Sequence, residues 1–120
     1  MTTMATHLMF QDGNARTAAE LYVSLVPDSR IEEGGSDNPV SFTLAGNSYI
    51  AFESDVQHGF SFTPAMSIFV TCETADEVDA IFTGLLEGGE ALMPLGDYGF
   101  SPRFGWCTDR FGVSWQVAQG

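Results

Sequence analysis

An internal repeat is the feature of this sequence that most constrains its fold. Shifting the 120 residues by 60 positions, half the length of the chain, superposes two segments with the same hydrophobic pattern. The superposed pairs are Phe10 and Val70, Ala15 and Ala75, Ala18 and Val78, Leu21 and Ile81, Tyr22 and Phe82, and Leu25 and Leu85. In both segments a short apolar run precedes apolar residues spaced three or four apart, which predicts a strand followed by an amphipathic helix. Self-similarity at a fixed offset indicates two units in tandem.

Three strand-like segments complete each half. In the first half, Asn14 is placed to cap the helix and Pro27 to end it, and strands are predicted over 30–32, 40–44 and 47–53. In the second half, Thr74 or Glu73 can cap the helix, glycines 88 and 89 end it, and strands are predicted over 90–95, 104–107 and 113–117. Each half therefore has the order βαβββ. The sequence predicts an α+β fold, with one domain over 1–120 built from repeats at about 1–55 and 64–120. The curved mixed sheets would surround a cleft, with the helices on the outer faces.

Alternation along the strands predicts which residues face that cleft. The last strands of the two halves align best at a shift of 63, which pairs Phe52 with Trp115. We expect these two aromatic side chains to point toward the helices. The residues expected to point into the cleft are His7, Glu53, Ser67 and Gln116.

The charge composition excludes several functions. The chain has 16 acidic residues against four arginines and no lysine, for a formal net charge of -12. The absence of lysine excludes a Schiff-base lysine and a P-loop lysine. So few basic residues argue against binding to nucleic acid or to an anionic membrane surface.

The sequence shows neither a targeting signal nor a cysteine pair at the spacing of a CxxC motif. The first residues lack the basic region and the apolar core of a signal peptide. No apolar segment of the sequence is long enough to span a membrane. Cys72 and Cys107 lie 35 positions apart in apolar runs, which predicts buried free thiols. We therefore expect a cytoplasmic protein.

A series of short motifs runs through nearly the whole chain. They lie at 7–15, 22–30, 42–46, 66–70, 77–79, 86–89 and, as the most specific of them, at 105–116, which reads GWCTDRFGVSWQ. With these motifs and the tandem order, the chain resembles the PhnB-like group of the vicinal-oxygen-chelate superfamily, which includes glyoxalases, bleomycin-resistance proteins and extradiol dioxygenases. The resemblance implies the tandem fold and commonly a homodimer. It does not imply one reaction, because the fold supports many.

Proteins of that group often carry the label 3-demethylubiquinone methyltransferase, which does not fit these residues. A methyltransferase of the usual kind needs a glycine-rich turn after a strand of a doubly wound sheet, within a much larger domain. Here the glycines lie at predicted helix ends and hairpin turns. We therefore expect no methyl transfer.

The resemblance also implies positions for a divalent metal. In metal-using members the ligands come from the first and last strands of each half, which correspond to His7, Glu53, Ser67 and Gln116. His7 and Glu53 are suitable ligands, whereas Ser67 is a poor one and Gln116 a weak one. The expected cofactor is therefore either none or a divalent metal. Glu53 could also act as a general base.

Aromatic residues near the end of the chain predict a different kind of site. Tyr98, Phe100, Phe104, Trp106 and Trp115 could line a ligand pocket or belong to the core. Arg103 could pair with an anionic ligand or form a surface salt bridge. The candidate ligand-binding residues are Tyr98, Phe100, Arg103, Trp106 and Gln116.

Three functions remain open on these patterns. The favoured one is binding of a small molecule in an aromatic cleft, which needs no metal and no base. The second is a metal-dependent lyase, isomerase or dioxygenase that uses His7 and Glu53. The third is an auxiliary protein that acts through a dimer surface without a small ligand. A homodimer is expected in each case because open sheet edges are usually paired or covered.

Overall fold

Strands and helices follow the order βαβββ twice along the chain, as the sequence predicts. The computed structural model describes residues 1–120 and divides them into an N-terminal unit, Met1–Ser61, and a C-terminal unit, Phe62–Gly120. The N-terminal unit contains β1 (Thr6–Phe10), α1 (Ala15–Leu25), β2 (Arg30–Ile31), β3 (Val40–Leu44) and β4 (Asn47–Glu53). The C-terminal unit contains β5 (Ser67–Cys72), α2 (Ala75–Leu86), β6 (Glu90–Gly96), β7 (Phe104–Thr108) and β8 (Ser114–Gln119). The predicted α+β class is confirmed.

In the N-terminal unit, one face of a mixed four-stranded sheet packs against α1. The strand order is β1-β4-β3-β2, with β1 parallel to β4 and the other pairs antiparallel. Helix α1 presents three buried alanines and Tyr22 to the sheet. The small alanines allow the helix to lie close to the strands. The ring of Tyr22 then packs 6.3 Å from that of Phe42.

The C-terminal unit repeats this arrangement with larger core residues. Its strand order is β5-β8-β7-β6, with β5 parallel to β8. Helix α2 buries Val78, Ile81, Phe82 and Leu85. Gly105 of β7 leaves room for the Phe82 ring, since a Cβ at residue 105 would lie 2.6 Å from that ring. The aromatic ring therefore occupies the space that a side chain on this strand would need.

The two helices begin in different ways. At α2, Thr74 caps the helix with its own hydroxyl, which accepts the N–H of Glu77 at 3.2 Å. At α1, Asn14 occupies the predicted cap position, but its side chain makes no capping hydrogen bond. The carboxylate of Glu53, at the end of β4, accepts the N–H of Gly13 at 2.6 Å and that of Ala15 at 2.9 Å. A negative charge near a helix N-terminus is stabilising, and here it comes from a strand.

A buried carboxylate organises the turn between β7 and β8. Asp109 is 3% exposed, and its Oδ1 accepts the N–H groups of Phe111 and Val113 at 2.8 and 3.0 Å. Its Oδ2 accepts the indole N–H of Trp115 at 2.9 Å. The centre of the most specific sequence motif is therefore structural, because it ties a tight turn to the largest core side chain.

The predicted faces are correct for the last strand of the second half and wrong for that of the first. Phe10 pairs with Glu53, and Val70, its counterpart in the repeat, pairs with Val117. Glu53 therefore corresponds to Val117 on the helix side, and Phe52 corresponds to Gln116. The predicted shift is wrong by one residue, and a slip of one residue moves every side chain to the other face.

The two cysteines are free and buried, as predicted. Burial, reinforced by the nearby Glu77 carboxylate, raises the pKa of Cys72 from its ordinary value of 9.0 to about 11. Burial and the charge of Asp109 raise the pKa of Cys107 to about 12. Both residues therefore stay as thiols at neutral pH and are poor nucleophiles. Neither helix is long and apolar enough to cross a membrane.

Candidate functional site

The side of the C-terminal sheet that faces away from α2, here called the open face, presents three rows of side chains. The middle row contains Phe69, Gln116, Trp106 and Met93, one from each strand. The second row contains Ser67, Ser114, Thr108 and Glu90. The third row contains Thr71, Ala118, Phe104 and Gly96. Neighbours within a row lie on adjacent strands, where side chains are close enough to interact.

A connected set of polar side chains crosses the first two rows. The hydroxyls of Ser67 and Ser114 lie 2.6 Å apart. The indole N–H of Trp106 donates to Ser114 Oγ at 2.9 Å, and Gln116 Nε2 donates to Ser67 Oγ at 3.2 Å. Ser114 is only 1% exposed, whereas the other three residues are half-buried. Of these four residues, only Ser67, Trp106 and Gln116 can therefore touch a molecule that lies on this face.

An aromatic cluster adjoins this polar set. Phe104 is 2% exposed, and the rings of Phe100, Tyr98 and Phe69 lie 4.9, 5.8 and 6.5 Å from its ring. Phe69 and Phe100 are themselves 58% and 68% exposed. Exposed aromatic side chains that share a patch are a common feature of binding surfaces.

The structure groups four of the five predicted ligand-binding residues on this unit's open face or beside it. Trp106 and Gln116 are neighbours in the middle row, and Tyr98 and Phe100 pack around Phe104. Arg103 lies apart from them. It makes a two-pronged ion pair with Asp79 of α2, at 2.7 and 3.2 Å. This hydrogen-bonded contact raises the pKa of Arg103, so the surface salt bridge weighed from the sequence is the interaction observed.

Phe69 of the aromatic cluster and Ser114 of the polar set are not among the predicted ligand contacts. Phe69 occupies a strand position predicted simply as apolar, and Ser114 looks like an ordinary polar strand residue. The position of Ser114 on the open face follows from alternation, since it lies two residues before Gln116 on the same strand. Phe69 pairs directly with Gln116. That pairing joins segments distant in sequence, and no local pattern reports it.

In the N-terminal unit, His7 and Glu53 do not meet. His7 is exposed on the face away from α1, where its ring lies 5.6 Å from that of Phe52. Glu53 pairs with Phe10 on the opposite face, and both of its carboxylate oxygens accept helix N–H groups. One ion cannot contact side chains on both faces of a sheet, so these two residues do not form a joint metal site.

The donor set does not fit the metal centre that the resemblance implies. The corresponding positions hold His7 and Phe52 in the N-terminal unit, and Ser67 and Gln116 in the C-terminal unit. Only one of these side chains is a strong ligand for a divalent metal, and none is a carboxylate. No group of three or more His, Cys, Asp or Glu residues is placed to hold an ion.

Similarity to known proteins identifies the family of this chain. The sequence matches the family described as 3-demethylubiquinone-9 3-methyltransferase over residues 2–118. It is 43% identical to the PhnB protein from Bacillus cereus, with a TM-score of 0.88 over 99% of this chain and 100% of that chain. It is 26% identical to protein PA1353 from Pseudomonas aeruginosa, with a TM-score of 0.83 over 99% and 98%. None of the curated proteins matches the sequence.

A more distantly related protein has a similar fold. A glyoxalase-related enzyme from Fulvimarina pelagi is 17% identical, with a TM-score of 0.68 over 100% of this chain and 89% of that chain. The two sheets here are mixed four-stranded sheets rather than a doubly wound parallel one, so the word methyltransferase serves as a family name and specifies no activity. The chain belongs to the PhnB-like family that bears the name 3-demethylubiquinone-9 3-methyltransferase.

Proposed function

We propose that this protein binds a small organic molecule on the open face of its C-terminal unit. The observation that carries the proposal is the position of Gln116. Its amide lies between Phe69 on one neighbouring strand and Trp106 on the other, and it makes one hydrogen bond to the protein, to Ser67. A polar group flanked by aromatic side chains and left with unused hydrogen-bonding capacity is typical of a ligand site.

The aromatic side chains supply the apolar part of binding. A ring placed over Gln116 would contact Trp106 and Phe69, and a longer ligand would reach Phe100 beside Phe104. Each well-oriented pair of rings is worth about 0.5–1.5 kcal/mol beyond the apolar area it removes from water. Binding would therefore cover Phe69 and Phe100, the two most exposed rings of the patch.

Binding is better supported than catalysis by a side-chain base. Among the twelve residues of the three rows, the only one with a titratable side chain is Glu90. It lies on β6, two strands away from Ser114, a separation of about 10 Å across the sheet. General-base catalysis requires contact with the substrate proton or one bridging water, so none of these rows supplies a base within reach of a molecule over Gln116.

The two tryptophans allow a direct test by NMR of the indole N–H signals. Trp106 donates its indole N–H on the open face, whereas that of Trp115 is buried against Asp109. Screening a library of small aromatic compounds against ¹⁵N-labelled protein should shift the Trp106 signal and leave the Trp115 signal in place. Loss of one signal in the Trp106→Phe variant assigns the pair. Compounds that bind without moving the Trp106 signal, or a screen with no binder, would refute the proposal.

We also propose that the protein is a homodimer. Each sheet ends in edge strands, β1 and β2 in one unit and β5 and β6 in the other, whose outer backbone groups have no strand partner. Such edges are usually covered in stable proteins. Light scattering at micromolar concentration should give about twice the 13.0 kDa chain mass, and a monomeric mass would refute the proposal.

A further inference from the structure

We infer that the ligand of the open face presents an uncharged carbonyl oxygen to Ser67 and Gln116. This inference rests on the proposed binding function and specifies the chemistry of the bound group. It follows from a count of hydrogen atoms in the polar set of the open face, from the charges around it, and from the rings beside it.

The polar set contains more hydrogens than the protein can accept. Gln116 contributes two N–H hydrogens, and Trp106, Ser67 and Ser114 contribute one each, so five are available. The structure contains three hydrogen bonds among these four side chains. None of the four makes a further side-chain hydrogen bond. Two hydrogens are therefore left without a protein acceptor.

The position of the spare hydrogens follows from burial. Ser114 is 1% exposed, and its only available acceptor is Ser67 Oγ, so it must donate to Ser67 to avoid a buried unpaired hydroxyl. Trp106 donates to Ser114. Both inner donors are thus used, and the spare hydrogens belong to Ser67 and Gln116, the two outer members of the set.

The number of spare hydrogens does not depend on how the Gln116 amide is turned. With Nε2 toward Ser67, the Ser67 hydroxyl and the second N–H of Gln116 remain free. With the amide reversed, Ser67 donates to the amide oxygen, and both N–H hydrogens of Gln116 remain free. Either arrangement directs two donors at the open face, where they can bind an oxygen acceptor of a ligand.

The surrounding charge selects a neutral acceptor over a carboxylate or a phosphate. The chain has a formal net charge of -12, and none of the side chains in the three rows is a cation. The guanidinium of Arg103 is held by Asp79 of α2. An anion would gain the same two hydrogen bonds but would be repelled by the protein's field.

The rings on either side indicate a planar group beside the acceptor. Phe69 and Trp106 occupy the positions on both sides of Gln116 in the middle row. The oxygen of a carbonyl attached to an aromatic ring could accept hydrogen bonds from the spare hydrogens while the ring contacts these side chains. The ligand class is therefore an uncharged aromatic ketone or amide.

Three matched probes test this class. Acetophenone, ethylbenzene and benzoate share a phenyl ring and differ in the group attached to it. Titrations followed at the Trp106 indole signal should give a dissociation constant about three- to tenfold lower for acetophenone than for ethylbenzene, the range expected for one net hydrogen bond. Benzoate should bind more weakly than acetophenone.

Two variants locate the effect. Gln116→Leu should reduce the preference for acetophenone over ethylbenzene to at most the part that the Ser67 hydroxyl supplies, while ethylbenzene still binds. Gln119→Leu is the matched control, because Gln119 lies on the same strand with its side chain on the opposite face, and it should keep the preference.

Each unexpected outcome has a distinct meaning. Tighter binding of benzoate would overturn the neutral character of the ligand. Equal binding of acetophenone and ethylbenzene, or a preference that is undiminished in Gln116→Leu, would overturn the carbonyl inference and leave the proposed binding face intact. Failure of all three probes to move the Trp106 signal would count against the binding face itself.

Discussion

Replacing Glu53 with glutamine tests whether this strand residue holds helix α1 in place. The carboxylate accepts the N–H of Gly13 at 2.6 Å and of Ala15 at 2.9 Å. Glutamine keeps one acceptor but turns an NH₂ group toward the second backbone N–H, which costs about 1–2 kcal/mol. Removal of the negative charge from the helix N-terminus costs about 0.3–1 kcal/mol more. We therefore expect Glu53→Gln to lower the free energy of unfolding by about 2 kcal/mol and the Tm by about 5–10 °C.

Urea unfolding followed by far-UV circular dichroism measures this loss, with Glu20→Gln as the control. Glu20 lies on the same helix, but it is exposed and pairs with Arg16 at 3.7 Å, so its replacement should cost less than about 0.5 kcal/mol. A Glu53→Gln variant within about 0.5 kcal/mol of the wild type would refute the capping role. EDTA should not reproduce the effect of the substitution. If EDTA lowered the wild-type midpoint as much as the substitution does, Glu53 would be holding a metal.

Three further predictions concern the core of the C-terminal unit. Asp109→Asn should lower the free energy of unfolding in urea by about 2–3 kcal/mol, because the amide NH₂ would face the buried indole N–H of Trp115. A loss below about 0.5 kcal/mol would contradict this expectation. Because burial raises the pKa of Cys107 to about 12 and of Cys72 to about 11, the thiols ionise first in the unfolded chain. Stability should therefore fall as the pH rises from 9 toward 12, and the fall should be shallower when both cysteines are alanine; equal slopes would be the contrary result. Gly105→Ala should lower the Tm by several degrees, because its Cβ would lie 2.6 Å from the Phe82 ring, and an unchanged Tm in calorimetry would show that the ring moves freely.

The order of elements was predictable because its signals are local. The three- and four-residue spacing of apolar side chains along α1 and α2 marks each helix, and the buried residues of α2 are among those the spacing selects. The predicted direction of Trp115, toward the helix, is confirmed, and it agrees with the polar residues Ser114 and Gln116 on either side of it. A strand with polar residues at alternate positions identifies its own faces.

The faces of β4 could not be read in this way. Tyr49, Ile50, Ala51 and Phe52 are four consecutive apolar residues, so alternation gives no direction. The prediction then depended on the repeat offset, which is wrong by one residue. The position fully buried against the helix is Ala51, a residue too small to stand out beside Phe52.

Contacts that define the candidate site are the least local. Ser67 meets Ser114 across 47 positions of sequence, and Arg103 meets Asp79 across 24. Such pairs depend on which strands become neighbours and on how a helix lies over them. The sequence predicted that Trp106 and Gln116 are site residues, but the hydrogen bonds that connect them appear only once β5 lies beside β8.

The different starts of the two helices have a consequence for synthesis on the ribosome. Helix α2 carries its cap three residues from the amide it binds, so the cap is available as soon as the helix leaves the exit tunnel. Helix α1 must wait for Glu53, which lies 38 positions beyond Ala15 and ends the last strand of its unit. During that interval the N–H groups of Gly13 and Ala15 lack the carboxylate that accepts them in the folded unit. Completion of β4 would then dock the helix and close the N-terminal unit in one step.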